Sequence, residues 1–200
     1  MSLKKNFAME YEREYSIKTI GIWGVHRGSG VTHTSLVIAV YMSEVLKKKV
    51  AYVEFNSSSE IASLNQNVLC LSSAFNYRGI HFYPNISREQ LWNLMGAKFE
   101  ILVIDCGTSS KFPPKEFALF QKKLIVLDSA PWRQKLNDEW FYSIGRKKKD
   151  YQYVIPCEKK QIMEQISRQY GCGIDCIPYQ KDTFQLNLPM IHALHILLSN

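Results

Sequence analysis

Short, nearly unbroken apolar runs alternate along this chain with stretches in which apolar residues recur every three or four positions. The runs are Ile17–Gly24, Lys49–Phe55 (KVAYVEF), Gly79–Tyr83, Phe99–Asp105 (FEILVID), Lys123–Asp128 (KLIVLD), Tyr151–Pro156 and Gly173–Pro178. Continuous runs of this length suit strands covered on both faces, as in a parallel sheet. Between them the spacing predicts a helix over Thr32–Lys48, where Leu36, Val37, Val40, Met42 and Val45 leave few polar faces. A second is expected over Ser87–Lys98, with Ser87 and Gln90 at capping-box spacing, and others over Lys115–Lys122 and Glu158–Tyr170, the last ended by Gly171. Asn56-Ser57-Ser58-Ser59 caps a short helix from Glu60 to about Val68. Pro131 opens a helix whose Trp132, Leu136, Trp140 and Ile144 form one stripe, read as core. Leu188, Ile191, His195 and Leu198 mark a closing helix. Strands alternating with helices predict a single-domain α/β fold over residues 17–200: a mostly parallel twisted sheet flanked by helices in three layers, behind a polar N-terminal tail at 1–16.

Composition narrows the class. With 200 residues and 46% hydrophobic content, the chain is long and apolar enough for a real core. No window reaches the roughly 18 uncharged apolar residues of a membrane span, and the start leads into no signal-peptide core, so a cytoplasmic protein is expected. Met1-Ser2-Leu3 reads as a cloning remnant, in which case the chain is a piece of a longer protein. The five cysteines are odd in number and mostly at strand-like positions, which fits reduced, buried thiols better than a disulfide framework. The net charge of +7 comes largely from Lys47–Lys49, Lys122–Lys123 and Arg146–Lys149, each beside a strand. Such clusters complement helix C-termini; only if they converge in space do they make a basic face for nucleic acid or anionic lipid.

The chemistry gathers at the ends of the strands, where ligands bind in open α/β sheets. In Thr19–Ser35 (TIGIWGVHRGSGVTHTS) an apolar run stops at Gly24, a loop with Gly28 and Gly30 follows, and Thr32 begins a helix. Strand, glycine loop and helix in that order make a phosphate cradle of backbone N–H groups. Aligning Gly30 with the second glycine of GxxxxGK[ST] puts Val25 at the first glycine, Val31 at the lysine and Thr32 at the magnesium-binding hydroxyl. The lysine is missing. Glu54 with Asn56 and, further on, Asp105 provide polar groups at two other strand ends.

At this point the chain resembles the ParA/MinD superfamily, whose phosphate loop reads KGGxGK[ST]. The resemblance rests on Ile20–Asn56 and Phe99–Gly107, and is greatest to the TadZ/CpaE-type, pilus-associated branch, in which loops are often degraded. It places His26 where the family has the lysine that reaches the partner subunit's nucleotide, and Val31 where it has the phosphate lysine. Thr32 keeps the magnesium hydroxyl, Asp105 the Walker B carboxylate and Glu54 an acid at the strand-two position, while Asn56 has lost its charge. The asparagine that meets adenine has no clear equivalent in Tyr153-Val154-Ile155-Pro156.

What the resemblance implies is a nucleotide site at His26, Arg27, Gly28, Ser29, Gly30, Val31, Thr32 and His33, with Thr32, Glu54 and Asp105 about the magnesium and its water. Arg27, permanently charged and forked, stands in part for a lysine. ATP and Mg2+ are the expected cofactors, held weakly, and hydrolysis is expected to be weak or absent because both lysines are gone. The function implied is a localisation or scaffold pseudo-ATPase, a homodimer through the loop face, with a protein partner such as a pilus or secretion apparatus that brings it to the membrane periphery. Two alternatives stay open: a slow ATPase using Arg27 or His26, and a basic module for DNA or anionic lipid without nucleotide. Cys106 beside the site is a candidate reactive thiol with no base to name. Cys157, Cys172 and Cys176 lack zinc-site spacing, and His192 and His195 on the closing helix suggest packing or surface roles.

Overall fold

The apolar runs become strands, and their order in space explains why the polar strand ends meet. The computed structural model describes residues 18–65, 74–108, 112–157 and 160–199. The elements are β1 (Thr19–Gly24), α1 (Val31–Val40, prolonged by a π turn over Tyr41–Val45), β2 (Val50–Glu54), β3 (Phe75–Tyr77) and β4 (Ile80–Tyr83). They continue with α2 (Arg88–Gly96), β5 (Ile101–Asp105), β6 (Lys122–Val126), α3 (Gln134–Ile144), β7 (Gln152–Pro156), α4 (Lys160–Tyr170), β8 (Ile174–Ile177) and α5 (Leu188–Ser199).

All eight strands form one sheet in the order β3-β4-β2-β5-β1-β6-β7-β8. Each pairing is parallel except β3 with β4. The chain winds outward from the central β1 to both sides, so the loops after β1, β2 and β5 open together at the carboxyl edge. Every position of β1, β2 and β5 is buried, as unbroken apolar runs require when helices cover both faces. Successive side chains point to opposite faces, which divides the interior into two cores. Ile20, Ile22, Val50, Tyr52, Ile101 and Val103 pack with α1 and α5. Trp23, Ala51, Val53, Leu102 and Ile104 pack on the other face with Leu91 and Leu94 of α2, Trp140 of α3 and Ile166 of α4. The result is a single three-layer α/β domain.

The capping box forms as spaced: Gln90 N donates to Ser87 Oγ (3.2 Å) and Ser87 N to Gln90 Oε1 (2.7 Å). Other expectations are corrected. Phe75–Tyr77 adds a short antiparallel edge strand, and Lys115–Leu119 and Glu60–Leu64 are 3-10 turns rather than helices. Pro131–Arg133 also forms a 3-10 turn ahead of α3, which leaves Trp132 82% exposed and takes it out of the core stripe while Trp140 stays buried. Lys122 lies within β6, not before it. The polar tail at 1–16, Ile17, the 66–68 end of the helix expected after Glu60, Cys70 and Glu158 lie outside the described residues.

Candidate phosphate-binding site

The loop after β1 keeps its shape because backbone and side chains crowd it from three sides. A Cβ on Gly24 would meet Ser29 Oγ at 2.1 Å and Val31 Cγ2 at 2.5 Å, so the loop folds back over a strand end that only glycine permits. Gly30 sits at φ +100°, and a Cβ there would also press on Pro156 Cγ at 2.9 Å. The turn between them closes with Ser29 N donating to His26 O at 3.2 Å. The first helical bond of α1 runs from Thr34 N to Gly30 O (2.9 Å). The amides of Val31, Thr32 and His33 therefore lack helical acceptors and stand at the positive end of an apolar, buried helix.

Beside this helix start lies a dense carboxylate network. Asp105, fully buried at the end of β5, accepts through Oδ2 from the Thr32 hydroxyl and the Tyr52 hydroxyl, both at 2.9 Å. Its Oδ1 accepts from Asn56 Nδ2 and from Gly107 N, again at 2.9 Å. Burial pushes its pKa above the ordinary aspartate value; the Gly107, Thr32 and Tyr52 donors oppose that shift and the nearby Glu54 charge adds to it. Burial, with the Asp105 charge next, likewise pushes the Tyr52 phenol well up, so that hydroxyl stays a donor. Tyr52 had no place in the sequence-based site. Its position two residues before Glu54 puts it on the α1 side of the sheet, next to Asp105 through the β2–β5 register.

The two lysine positions have different fates. Val31 is buried and belongs to the α1 core. His26 is turned inward: Nε2 meets Asp128 Oδ2 and Nδ1 meets the Arg27 carbonyl oxygen, both at 2.5 Å. Asp128, just beyond β6, is held in turn by Ala130 N (2.6 Å) and by Arg133 Nη1 (3.4 Å). Arg133 is the cation that sequence reasoning missed. It belongs to the turn before α3, and its Nη1 lies 3.6 Å from where a Cβ on Gly28 would stand. No local motif joins positions 28 and 133; only the β1–β6 pairing does. Arg27 and Gly28 are exposed at the tip of the loop.

His33 is no cation. Its ring stacks on Tyr179 (centroids 5.2 Å apart, 16° between planes), its Nε2 meets the Gln180 backbone, and burial lowers its pKa. Glu54 is diverted as well. It is fully buried, and its Oε1 accepts from Ser58 Oγ (3.0 Å) and Glu60 N (2.8 Å), while Oε2 accepts from Asn85 N (3.1 Å). The carboxylate binds its own loops instead of facing the phosphate cradle. The Cys106 thiol is 2% exposed and pushed well up by burial, which removes it as a reactive group. On α5, His192 is exposed and His195 approaches the Tyr41 hydroxyl at 3.5 Å. Among the described residues there is no His/Cys/Asp/Glu cluster of metal-binding size and no helix long and apolar enough to cross a membrane.

A cleft of about 660 Å3 lies between the loop after β1, the start of α1, the Asn56–Ser58 turn and Gly107. Amides at the helix start, the Thr32 hydroxyl and the Asp105 carboxylate suit a phosphate chain with a magnesium ion; the lysine charges that would accompany them are absent.

No protein-family model matches the chain, and no curated protein matches it in sequence. Solved structures match the fold over nearly its whole length. The cell-division protein MinD from Aquifex aeolicus is 16% identical with a TM-score of 0.66, covering 91% of this chain and 94% of its own. A plasmid partition protein from Borrelia burgdorferi, solved with AMPPNP, is 16% identical with a TM-score of 0.64, covering 92% and 97%. The septum site-determining protein MinD from Pyrococcus horikoshii, solved with Mg-ADP, is 12% identical with a TM-score of 0.61, covering 90% and 94%. At these identities the likeness is one of fold, and the fold is that of the ParA/MinD P-loop proteins.

Proposed function

We propose that this chain is a degenerate ParA/MinD-type positioning protein, a scaffold that binds ATP with Mg2+ weakly and hydrolyses it negligibly. The observation that carries this is the pairing at one cleft of a kept magnesium arm, Thr32 hydroxyl on Asp105, with a lost phosphate arm, Val31 buried in the core. Val31, Thr32 and His33 amides would hold phosphate oxygens, Thr32 would ligate the metal with Asp105 behind it, and Arg27 and Arg133 supply the remaining positive charge. Magnesium, when bound, supplies charge neutralisation between neighbouring phosphate oxygens. Without a lysine the site does little for charge that develops on a transferred phosphoryl group. Dimerisation through the cleft face, a protein partner for positioning, and a place in the TadZ/CpaE-like branch belong to the same proposal; they rest on likeness to the fold's better-equipped members.

Calorimetric titration of the purified protein with ATP and Mg2+ tests it. Weak saturable binding that Thr32→Ala removes supports the proposal; absence of binding at millimolar nucleotide overturns its nucleotide part. A phosphate-release assay separates it from the slow-ATPase alternative, which requires turnover that Thr32→Ala abolishes.

One observation favours a second reading, a basic module for nucleic acid or anionic lipid. Lys49, Lys122 and Lys149 all stand at the amino ends of parallel strands, on the edge of the sheet opposite the phosphate cleft. Lys122, Lys123 and Lys149 line one cleft there, of about 540 Å3, although Asp150 and Asp175 share it. Lys122 is largely buried, and desolvation lowers its pKa to about 8. This reading requires binding to DNA or anionic vesicles that weakens steeply with salt.

A further inference from the structure

We propose that Cys157 and Cys176 form a reversible dithiol site that reacts with low-molecular-weight disulfides and closes into a disulfide across the ends of β7 and β8. Their Sγ atoms are 2.8 Å apart, nearer to the length of a disulfide bond, about 2.0 Å, than to an ordinary sulfur–sulfur contact. The strands themselves set this approach. Pro156 pairs with Ile177 in parallel register, and Cys157 N continues the ladder to Ile177 O at 3.1 Å, so the two thiols meet diagonally between neighbouring strands. Bond formation needs a movement smaller than a bond length and no change of register.

The two thiols are suited to different steps. Cys176 is half-buried and open to a small reagent, whereas Cys157 is 7% exposed and screened from one. When protonated, Cys176 donates to the Cys157 carbonyl oxygen (2.7 Å). When ionised, it accepts from the Cys157 thiol, and that hydrogen bond pulls its pKa down to about 7 against the opposing effect of burial. The neighbouring Cys172 is pushed up by burial and Cys106 is sealed in the core, so neither competes.

The chemistry balances as two exchanges. The Cys176 thiolate attacks one sulfur of a disulfide RSSR, forming a mixed disulfide and expelling RS−. The Cys157 thiol gives up its proton and attacks the Cys176 sulfur, expelling a second RS−. The protein loses two electrons and two protons, and RSSR becomes two RSH. Each cysteine is followed or preceded by residues that reach the glycine loop or the helix behind it. Pro156, next to Cys157, lies where a Cβ on Gly30 would meet its Cγ at 2.9 Å, and Tyr179 and Gln180, three and four residues after Cys176, hold His33 of α1. The bond would therefore tie together the two segments that flank Gly30 and His33, whether or not nucleotide binds there.

Purified full chain is treated with excess glutathione disulfide, quenched with N-ethylmaleimide, and analysed by intact mass and peptide mapping. Apart from N-ethylmaleimide added to its remaining accessible thiols, the expected product is lighter by two hydrogens, contains a Cys157–Cys176 linked peptide, and reverts with dithiothreitol. Cys157→Ser is expected to retain one glutathione on Cys176, and Cys176→Ser to leave Cys157 unmodified. A stable glutathione adduct on Cys176 of the unaltered chain, a link through Cys172, or no reaction at Cys157 and Cys176 would overturn the proposal. Because the unaltered chain carries the deciding measurement, poor folding of a variant does not obscure the outcome.

Discussion

Glu54 and Asp105 are register partners on adjacent strands, both fully buried, and they do opposite things. Asp105 is approached by donors from three directions: Tyr52 in β2, Asn56 and Gly107 in the facing turns, and Thr32 at the start of α1. Of these, Thr32, Asn56 and Gly107 line the cleft, so this carboxylate is wired to it from both sides. Glu54 accepts from Ser58, Glu60 and Asn85 in the turns that follow its own strand and β4. It works as an anchor for loops, in the manner of a helix cap. Two acids at the ends of paired strands are thus held differently: Asp105 joins a strand, two turns and a helix start, whereas Glu54 holds turns alone.

Four measurements can break or sharpen that contrast. The largest effect is expected from Asp105→Ala. It leaves the Tyr52 and Thr32 hydroxyls and the Gly107 N–H without their acceptor, while Asn56 Nδ2 keeps the backbone carbonyl of position 105, and the loss in denaturant unfolding should be about 3–5 kcal/mol. Nucleotide binding should vanish with it. Next comes Val31→Lys, which restores the missing charge at the price of a core position. Stability should fall by about 2–3 kcal/mol, while ATP–Mg2+ binding tightens about tenfold or more, roughly 1.4 kcal/mol. Unchanged affinity in a folded variant would mean that the loop does not hold phosphate. Glu54→Gln keeps the volume and loses the charge on its backbone donors, for a cost of about 1–2 kcal/mol. Affinity should not move; a parallel loss of affinity would erase the distinction between the two acids.

The smallest effect is a pH dependence. Burial raises the Asp105 pKa in the folded state, so the folded chain holds that proton more tightly than the unfolded chain does. This group therefore favours folding as pH falls through its folded pKa toward the unfolded value near 4, and the gain is lost as pH rises again. Unfolding curves of the unaltered chain and Asp105→Asn, compared from neutral pH downward, should show the difference shifting toward the unaltered chain.

The sequence made the central sheet legible because β1, β2, β5 and β6 must be apolar on both faces, and such runs have few other uses in a chain this length. Phe75–Tyr77 was not legible: three residues of an edge hairpin carry no period. Trp132 was misplaced because a four-residue repeat cannot reveal that the first turn after Pro131 is 3-10 and directs its side chain outward. At the site, the spacing of Gly28, Gly30 and Thr32 marks a glycine loop that runs into a helix start, and the loop and helix start are there. That spacing was not enough to foresee His26 latched to Asp128, nor Arg133 arriving at Gly28, since both contacts join residues about a hundred positions apart. Glu54 shows the same limit from the other side. An acid at a strand end is visible in sequence, but the amides that capture it are not.

The two outermost strands of the sheet are short, β3 with three residues and β8 with four. An open sheet offers its rim to other chains as a template, and the danger grows with the length of unpaired ladder it displays. Here the long apolar strands are kept inside, and each rim is too brief to nucleate a stack. Protection against aggregation is thereby written into strand length, and it persists whatever occupies the carboxyl edge.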